Sequence, residues 1–251
     1  MMRPGEAEMP AVEPKDRVIV ALDVPTSGAA LDIVREIGSN AGAYKVGMQL
    51  FTSVGPSIVR TITDAGHRIF LDLKFHDIPN TVAAAAVEAV RLGVWMLNVH
   101  ALGGSEMMRR TADSVRETCF KENLKAPLLI GVTILTSSDR RTMSEVGIDP
   151  EVESEVDRLS DLAKRSGMDG VVASPLESAR IRRNCGGDFV IVTPGVRPAF
   201  ATKDDQKRVM TPREALAAGS DYLVIGRPIT AGSNKIEALK LILGEIGGSD
   251  Q

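Results

Sequence analysis

Residues 70–81 read Phe-Leu-Asp-Leu-Lys-Phe-His-Asp-Ile-Pro-Asn-Thr, and they join a strand pattern to a helix pattern. The stretch begins with strand-forming apolar residues, and Asp72 and Lys74 lie between them at a spacing of two. Because alternate side chains of a strand point to the same face, these two charged side chains are predicted to share one face. The apolar pattern ends before Asp77, and an Ala-rich helical run begins at Thr81. The stretch therefore predicts a buried strand with charged residues at its carboxyl end.

The charged pair in this strand has two interpretations. Ions inside an apolar strand each cost several kcal/mol unless they pair, so Asp72 and Lys74 could form a purely structural ion pair. A functional site is favoured, because a third charge, Asp77, follows within one loop. The carboxyl ends of strands are also where α/β proteins hold their catalytic groups.

Short apolar runs alternate with amphipathic runs along the chain, and eight of the apolar runs are typical of strands. The predicted strands cover 17–23, 43–48, 68–74, 94–100, 127–133, 170–173, 189–193 and 222–225, the fifth running on to Ser137. Residues 138–151 are predicted to form a polar connection. A glycine that ends a helix shortly before a strand recurs at Gly66, Gly93, Gly167 and Gly219, which is typical of repeated helix-to-strand loops.

This alternation predicts parallel strands joined by crossover helices, which is the α/β class. Eight such units close most naturally as a single (β/α)8 TIM barrel, and 251 residues are close to the size of one barrel. A doubly wound open sheet is the alternative, although no Gly-x-Gly-x-x-Gly follows the first strand. Residues 15–251 are predicted to form the catalytic barrel domain, and residues 1–14 a flexible N-terminal tail.

The composition disfavours several classes of function. The formal net charge is -3 at pH 7, so no basic surplus indicates a nucleic-acid partner. No segment approaches the ~20 apolar residues of a membrane span. The two cysteines, Cys119 and Cys185, suit free thiols in a reducing cytoplasm, which is the predicted location. Three histidines without acidic residues at ligand spacing give no metal motif, so no metal is expected.

Charged residues also occur near the carboxyl ends of the first three predicted strands, namely Asp23, Lys45, Asp72 and Lys74. In a barrel these ends converge, so two acids and two lysines are predicted to share one pocket. At ~4 Å and an effective dielectric constant of ~20, an opposite charge contributes roughly 4 kcal/mol, which keeps the lysines protonated and the acids ionised. A protonated, fixed lysine is a proton donor, whereas Schiff-base chemistry requires a neutral lysine and is disfavoured.

Two arginines beside glycines follow the last two predicted strands: Arg197 after Gly195, and Arg227 after Gly226. The loops after strands seven and eight of barrels often bind phosphate. A glycine lets a backbone amide approach the anion, and a guanidinium can bind it in a bidentate manner. A phosphate site is therefore predicted. The polar segment 198–208 is long for such a connection, and it is interpreted as a lid or as a plain surface loop.

With these motifs in view, nearly the whole chain resembles a bacterial orotidine 5'-phosphate decarboxylase. The matching segments are Leu22-Asp23, Lys45-Val46-Gly47, 70–81, Asn98-Val99-His100, Leu135-Thr136-Ser137, 193–197 (Thr-Pro-Gly-Val-Arg), Asp205-Gln206 and Gly226-Arg227-Pro228. The central run 70–81 is highly specific by itself, and the other segments match without departure.

The resemblance implies a homodimer of (β/α)8 barrels with shared active sites, which uses neither a metal nor an organic cofactor. It implies conversion of orotidine 5'-phosphate to uridine 5'-phosphate and carbon dioxide, the last step of de novo UMP synthesis. Lys74 would protonate the pyrimidine carbon that loses the carboxylate, and Lys45, Asp72 and Asp77 would complete a charged tetrad.

The resemblance also implies a set of substrate-binding residues. They are Asp23, Lys45, Asp72, Lys74, Asp77, Ile78, Thr81, Thr136, Arg197, Gln206, Gly226 and Arg227. Within this set, Asp23 and Lys45 would hold the ribose, and Thr136 would lie near the base. Asp77 and Thr81 would reach into the pocket of the partner subunit, whereas the residues from position 197 onward would bind phosphate.

Two other functions are compatible with the pattern. The first is a magnesium-dependent decarboxylase or aldolase for sugar phosphates from the same barrel superfamily, which shares the pattern Asp-x-Lys-x-x-Asp. The segments 76–81 and 205–206 disfavour it, because they suit the nucleotide enzyme. The second is a non-catalytic barrel that binds a phosphate-containing ligand.

Overall fold

The computed structural model describes residues 12–149, 151–200 and 210–248 of this chain. Its centre is a closed barrel of eight parallel strands, in which sequential strands are neighbours and the last pairs with the first. The strands are β1 (Val18–Ala21), β2 (Ala43–Gly47), β3 (Ile69–Phe75), β4 (Met96–His100), β5 (Leu128–Val132), β6 (Gly170–Val172), β7 (Val190–Pro194) and β8 (Tyr222–Ile225). The predicted single (β/α)8 barrel is confirmed.

Helices connect the strands on the outside of the barrel. Within the described residues they are α1 (Ser27–Ile37), α2 (Met48–Val54), α3 (Ser57–Asp64), α4 (Pro79–Arg91), α5 (Gly104–Glu122), α6 (Arg140–Glu145), α7 (Val152–Arg165), α8 (Ser178–Cys185), α9 (Pro212–Ala217), α10 (Arg227–Thr230) and α11 (Lys235–Gly247). Short 3-10 turns occupy Pro14–Arg17, Gly38–Asn40 and Ala101–Gly103. Residues 1–11 of the predicted tail lie outside the described residues.

Local capping signals explain where several helices begin and end. The Thr26 side chain accepts a hydrogen bond from the N–H of Ala29 at the start of α1. Thr211 and Glu214 form a reciprocal capping box at the start of α9. The four glycines predicted to end helices all have positive φ, from 77° at Gly93 to 108° at Gly219. L-residues with a Cβ rarely adopt this conformation, so these glycines stop each helix and turn the chain towards the next strand.

The apolar core has two layers, because the barrel strands are buried on both faces. Inside the barrel, alternate strand residues pack together. They are Ile19, Ala21, Ala43, Phe70, Met96, Ile130, Val192 and Val224. The residues between them along the strands, such as Val18, Val20 and Leu71, pack outwards against the helices. This frame holds the carboxyl ends of all eight strands at one mouth.

The structure corrects the prediction in the connection after β5. The strand ends at Val132 and does not run on to Ser137. The predicted polar connection 138–151 contains a helix, α6, whose first turn is capped by Asp139 accepting from the N–H of Thr142 at 2.8 Å. This helix buries only Met143, so it lacks the apolar periodicity on which the prediction depended.

Candidate active site

The mouth formed by the strand carboxyl ends contains a cavity of about 430 Å³. Its lining comes from the ends of β1, β2, β3, β5, β6, β7 and β8 and from the loops that follow them. Eight of the predicted site residues line it: Asp23, Lys45, Asp72, Lys74, Thr136, Arg197, Gly226 and Arg227. The fold therefore gathers residues that are up to two hundred positions apart in the sequence.

Four charged side chains form a continuous chain across one wall of this cavity. The Lys45 ammonium lies 2.9 Å from Asp23 Oδ1 and 3.3 Å from Asp72 Oδ2. The Lys74 ammonium lies 2.6 Å from Asp72 Oδ1. Acid and base alternate along three neighbouring strands, so each lysine has a carboxylate partner, as predicted from the sequence.

Asp72 is the centre of this chain and is 9% exposed. Burial by itself would raise the pKa of its carboxyl group, but the charges of Lys45 and Lys74 outweigh burial. Hydrogen bonds from Lys74 and Asn98 act in the same direction, and the pKa of Asp72 lies below its ordinary value. Asp72 is therefore a largely buried anion held against two ammonium groups.

The backbone at Lys74 departs from regular strand geometry. Its φ is +51°, a left-handed conformation that is uncommon for residues with a Cβ. The pairing of β3 with β4 shifts register between Leu71 and Phe75, which marks a bulge. Strict alternation thus does not hold at Lys74, although its ammonium still meets the Asp72 carboxylate in the cavity.

Asn98 supports this irregular segment and was absent from the predicted site residues. Its Oδ1 accepts the backbone N–H of Lys74 at 2.8 Å, and its Nδ2 donates to Asp72 Oδ1 at 2.7 Å. The side chain is 0% exposed. The sequence signal was a single amide inside the apolar strand β4, and both partners lie on another strand.

Another part of the cavity wall carries the predicted phosphate residues. Arg197 and Arg227 follow β7 and β8, and neither guanidinium forms an ion pair within the described residues. A Cβ at Gly226 would lie 3.4 Å from the Ala21 side chain and 3.8 Å from Asp23 Oδ2. The loop therefore runs close to the wall where the charge chain begins. Gln206, and most of the predicted lid 198–208, lie outside the described residues.

Three predicted site residues are not part of the cavity wall: Asp77, Ile78 and Thr81. They are exposed at the rim, where Asp77 Oδ1 accepts the N–H of Ile78 at 2.7 Å. Ile78 is 67% exposed, and two further exposed apolar side chains, Met48 and Leu102, follow β2 and β4. Within the described chain, these three residues therefore do not reach the group formed by Asp72 and Lys74.

Two histidines lie beside the charged wall. The rings of His76 and His100 have centroids 5.3 Å apart. His100 Nδ1 is buried and has no hydrogen-bond partner among the described residues. Burial lowers the pKa of His100, and the charges of His76 and Lys74 lower it further. His100 is therefore held as a neutral imidazole next to the site.

A second cavity of about 760 Å³ adjoins the first, between the loops after β5, β6 and β7. Thr136, Ser137 and Arg197 border both cavities. Glu177, at the start of α8, belongs to the wall of the second cavity. Burial raises the pKa of Glu177 to about 7, although hydrogen bonds from Ser174 oppose the change.

Two searches of the described ranges concern metals and membranes. No three His, Cys, Asp or Glu side chains in residues 12–149, 151–200 and 210–248 are grouped so that they could hold a metal ion. In the same ranges, every helix is too short or too polar to span a bilayer.

Comparison with known proteins gives consistent matches over nearly the full length. A family model described as "Orotidine 5'-phosphate decarboxylase / HUMPS family" matches residues 16–242. The chain is 56% identical over 238 residues to the orotidine 5'-phosphate decarboxylase of Syntrophotalea carbinolica, covering 95% of this chain and 98% of that protein. It is 54% identical to the enzyme of the same name from Moorella thermoacetica, with 95% of each chain covered.

Solved structures agree with the sequence matches. The crystal structure of orotidine 5'-phosphate decarboxylase from Lactobacillus acidophilus is similar to this chain with a TM-score of 0.81 and 39% sequence identity. The match covers 92% of this chain and 99% of that one. Sequence and fold are thus shared with these proteins from the first strand to the last helix.

Proposed function

The chain belongs to the orotidine 5'-phosphate decarboxylase / HUMPS family, and from this premise we propose that it converts orotidine 5'-phosphate to uridine 5'-phosphate and carbon dioxide. The observation that carries the proposal is the ion-paired Lys74, whose ammonium lies 2.6 Å from Asp72 inside a cavity large enough for a nucleotide. The curated relatives named for this activity support it.

The difficult step of the reaction is the formation of a carbanion at one carbon of the pyrimidine ring. The bond between C6 of the pyrimidine and the carboxylate breaks, and its electron pair remains on C6. Lys74 then supplies the proton of the new C–H bond and regains a proton from solvent. A fixed ammonium beside the developing carbanion stabilises the transition state, because it does not need to reorganise as the charge forms.

Asp72 has two roles in this scheme. It holds Lys74 in position, and its anionic carboxylate faces the substrate carboxylate, so that their repulsion is relieved as carbon dioxide leaves. Lys45 balances the charge of Asp72, which keeps the buried carboxylate paired before and after the reaction. Asp77 completes the tetrad as the fourth charged group.

The rest of the nucleotide is bound away from the reacting carbon. Arg197, Arg227, Gly226 and Gln206 bind the phosphate. The two arginines line the cavity, and their guanidinium groups have no ion-pair partner among residues 12–149, 151–200 and 210–248, which supports this assignment. Asp23 and Lys45 hold the ribose, and Thr136 lies beside the base. Binding energy gained at the phosphate can order the reacting end of the substrate.

The enzyme acts as a homodimer with shared active sites in this proposal. Asp77 and Thr81, with Ile78 between them, reach into the pocket of the partner subunit. Their exposure at the rim supports an interface there, as do the exposed side chains of Met48, at the start of α2, and Leu102, in the turn after β4. The place of the reaction is the cytoplasm, as the last step of UMP synthesis.

Metal removal is the direct test of the proposed chemistry. Decarboxylation is followed by the absorbance change of the pyrimidine after dialysis against EDTA, with a Lys74→Ala variant as the control. We expect full activity without metal and a loss of at least ~10³-fold in the variant. Activity that is lost with EDTA and restored by magnesium would contradict the proposed metal-free chemistry. Nucleotide binding without any absorbance change would favour a non-catalytic barrel.

A further inference from the structure

The bulge in β3 gives Asn98 an unusual position. Leu71 pairs with Leu97 and Phe75 pairs with Val99, so three residues of β3 lie opposite the single residue Asn98 of β4. A strand segment with two extra residues loses ladder hydrogen bonds to its neighbour. The Asn98 side chain replaces one of them by accepting the backbone N–H of Lys74.

The amide of Asn98 also reaches the charge chain. Its Nδ2 donates to Asp72 Oδ1, the same oxygen that receives the Lys74 ammonium. Asn98 thus contacts the backbone of the proposed proton donor and the carboxylate that orients the donor's side chain. The side chain is fully buried and is not part of the cavity wall, so it does not contact a bound substrate directly.

We propose that Asn98 is a positioning residue that aims the Lys74 ammonium at the reacting carbon by fixing both the left-handed backbone of Lys74 and the Asp72 carboxylate. The inference rests on the proposed decarboxylase function and deepens it. The two contacts require an acceptor and a donor on one short, planar group, which an asparagine provides. Leucine has a similar volume but neither function, and aspartate retains the acceptor but lacks the donor.

Asn98→Leu and Asn98→Asp are the primary test variants. A displacement of about 1 Å at a reacting group can reduce the rate ~10²-fold, so we expect kcat to fall by that factor or more in both variants. We expect KM and the affinity for uridine 5'-phosphate to change less than about threefold, because the phosphate end of the site is untouched. A structural role alone would lower stability without this separation of kcat from KM.

The pH profile provides an independent readout. The ionisable groups around Asp72 are Lys45 from β2, Lys74 from β3 and His100 from β4, with Asp23 beyond Lys45. An aspartate at position 98 adds a negative charge beside Asp72 and raises its pKa, so the ionised form persists only at higher pH. Both substitutions remove the hydrogen bond from Asn98 that lowers the pKa of Asp72, and only Asn98→Asp adds a charge. The acid limb of the kcat profile should therefore move to higher pH in both variants, and further in Asn98→Asp than in Asn98→Leu.

Ser220→Ala is a matched control for the loss of buried hydrogen bonds. Ser220 is 3% exposed, bonds to the hydroxyls of Ser178 and Thr193, and does not line the cavity. We expect Ser220→Ala to lower Tm while kcat stays within about twofold of the parent enzyme. Asn98→Ser is a smaller substitution, included in case the primary variants do not fold, and its kcat should be intermediate.

The outcomes separate the two proposals. If the parent enzyme decarboxylates and folded Asn98 variants retain its kcat and pH profile, the positioning role is wrong and the proposed function stands. If the parent enzyme shows no decarboxylation, the proposed function is wrong.

Discussion

Lys74 combines a left-handed backbone with the ammonium that is proposed to supply the proton. A non-glycine residue in a sparsely populated backbone region costs of order 1–3 kcal/mol and persists only where its surroundings impose it. Here the bulge in β3 and the hydrogen bond from Lys74 N–H to Asn98 impose it. The conformation lowers stability, and it is explained by the direction it gives to the side chain.

Replacing Lys74 by glycine or alanine separates strain from chemistry. Both variants remove the ammonium and should be inactive, and both leave Asp72 with the same remaining partners. Lys74→Gly should be more stable than Lys74→Ala by about 1 kcal/mol, because only alanine keeps the Cβ that disfavours positive φ. Urea unfolding of the two variants measures the difference. Equal stabilities would mean that φ at position 74 is not strained in solution.

Glu177 is a described carboxyl group whose pKa is raised well above its ordinary value. Because its pKa is about 7 in the fold, above the ordinary value of 4.5, the native state binds its proton more tightly than the unfolded state. Its stabilising contribution is complete below the unfolded pKa and is lost as the pH rises through 7. Above that pH, the folded protein must hold a partly buried carboxylate.

Glu177→Gln should therefore raise the unfolding free energy at pH 8 by about 1–2 kcal/mol and leave it nearly unchanged at pH 5. The expected gain in unfolding free energy is smaller than the full pKa change implies, because solvent screens the exposed part of the Glu177 side chain. Thermal unfolding at both pH values gives the comparison. Glu117→Gln, at an exposed carboxylate paired with Lys121, is the control and should not stabilise the protein at pH 8. A gain of the same size at pH 5 would contradict the assignment.

At the scale of the elements, the shortest strand has the tightest constraint. β6 has three residues, and a Cβ added to Gly170 would lie 2.1 Å from the carbonyl oxygen of Val190 on β7. The contact is with backbone, so no side-chain rotation can relieve it. The glycine is required by the close approach of two barrel strands.

Gly170→Ala should lose at least about 3 kcal/mol of stability or fail to accumulate as folded protein. Gly187→Ala, where nothing lies within 4 Å of the added Cβ, is the matched control and should change stability by less than about 1 kcal/mol. Urea unfolding, with soluble yield as a second readout, measures both. Similar stabilities for the two variants would contradict the packing argument.

The strands were predictable from the sequence because an apolar run between helix-ending glycines is a local signal. The predicted strand 68–74 differs by one residue at each end from Ile69–Phe75. The clustering of Asp23, Lys45 and Asp72 followed from the closure of a parallel barrel. The bulge at Lys74 could not be predicted, because it depends on Asn98, which lies 24 residues away on another strand. Helix α6 could not be predicted either, because it buries only Met143 and so has no apolar periodicity in the sequence.

At the scale of the whole molecule, the described subunit leaves part of the proposed tetrad outside its own cavity. Asp77 lies at the rim and Lys74 in the wall, although only one loop separates them. Ile78, next to Asp77, is 67% exposed, and two further exposed apolar side chains, Met48 and Leu102, follow the neighbouring strands β2 and β4. In the proposed homodimer, the partner subunit covers these residues and Asp77 lies at the partner's cavity.

Mixed dimers test whether the site is shared. In a hybrid of Lys74→Ala and Asp77→Ala subunits, one cavity carries both substitutions and the other carries neither. Random exchange should therefore restore about a quarter of the parent activity from two inactive proteins. Activity is measured after the variants have been unfolded and refolded together, with each refolded alone as the control. Hybrids that form and remain inactive would contradict a shared site.

The cavity draws its charged wall from β1 to β3 and its arginines from the loops after β7 and β8, and β1 pairs directly with β8. A nucleotide that touches both walls would bridge the seam where the two ends of the chain meet and close the ring. A bound ligand would then stabilise the pairing of β1 with β8, and with it the closure of the barrel. Ligand binding would therefore slow the exchange of amide hydrogens in β1 and β8 more than it slows exchange in β4 and β5.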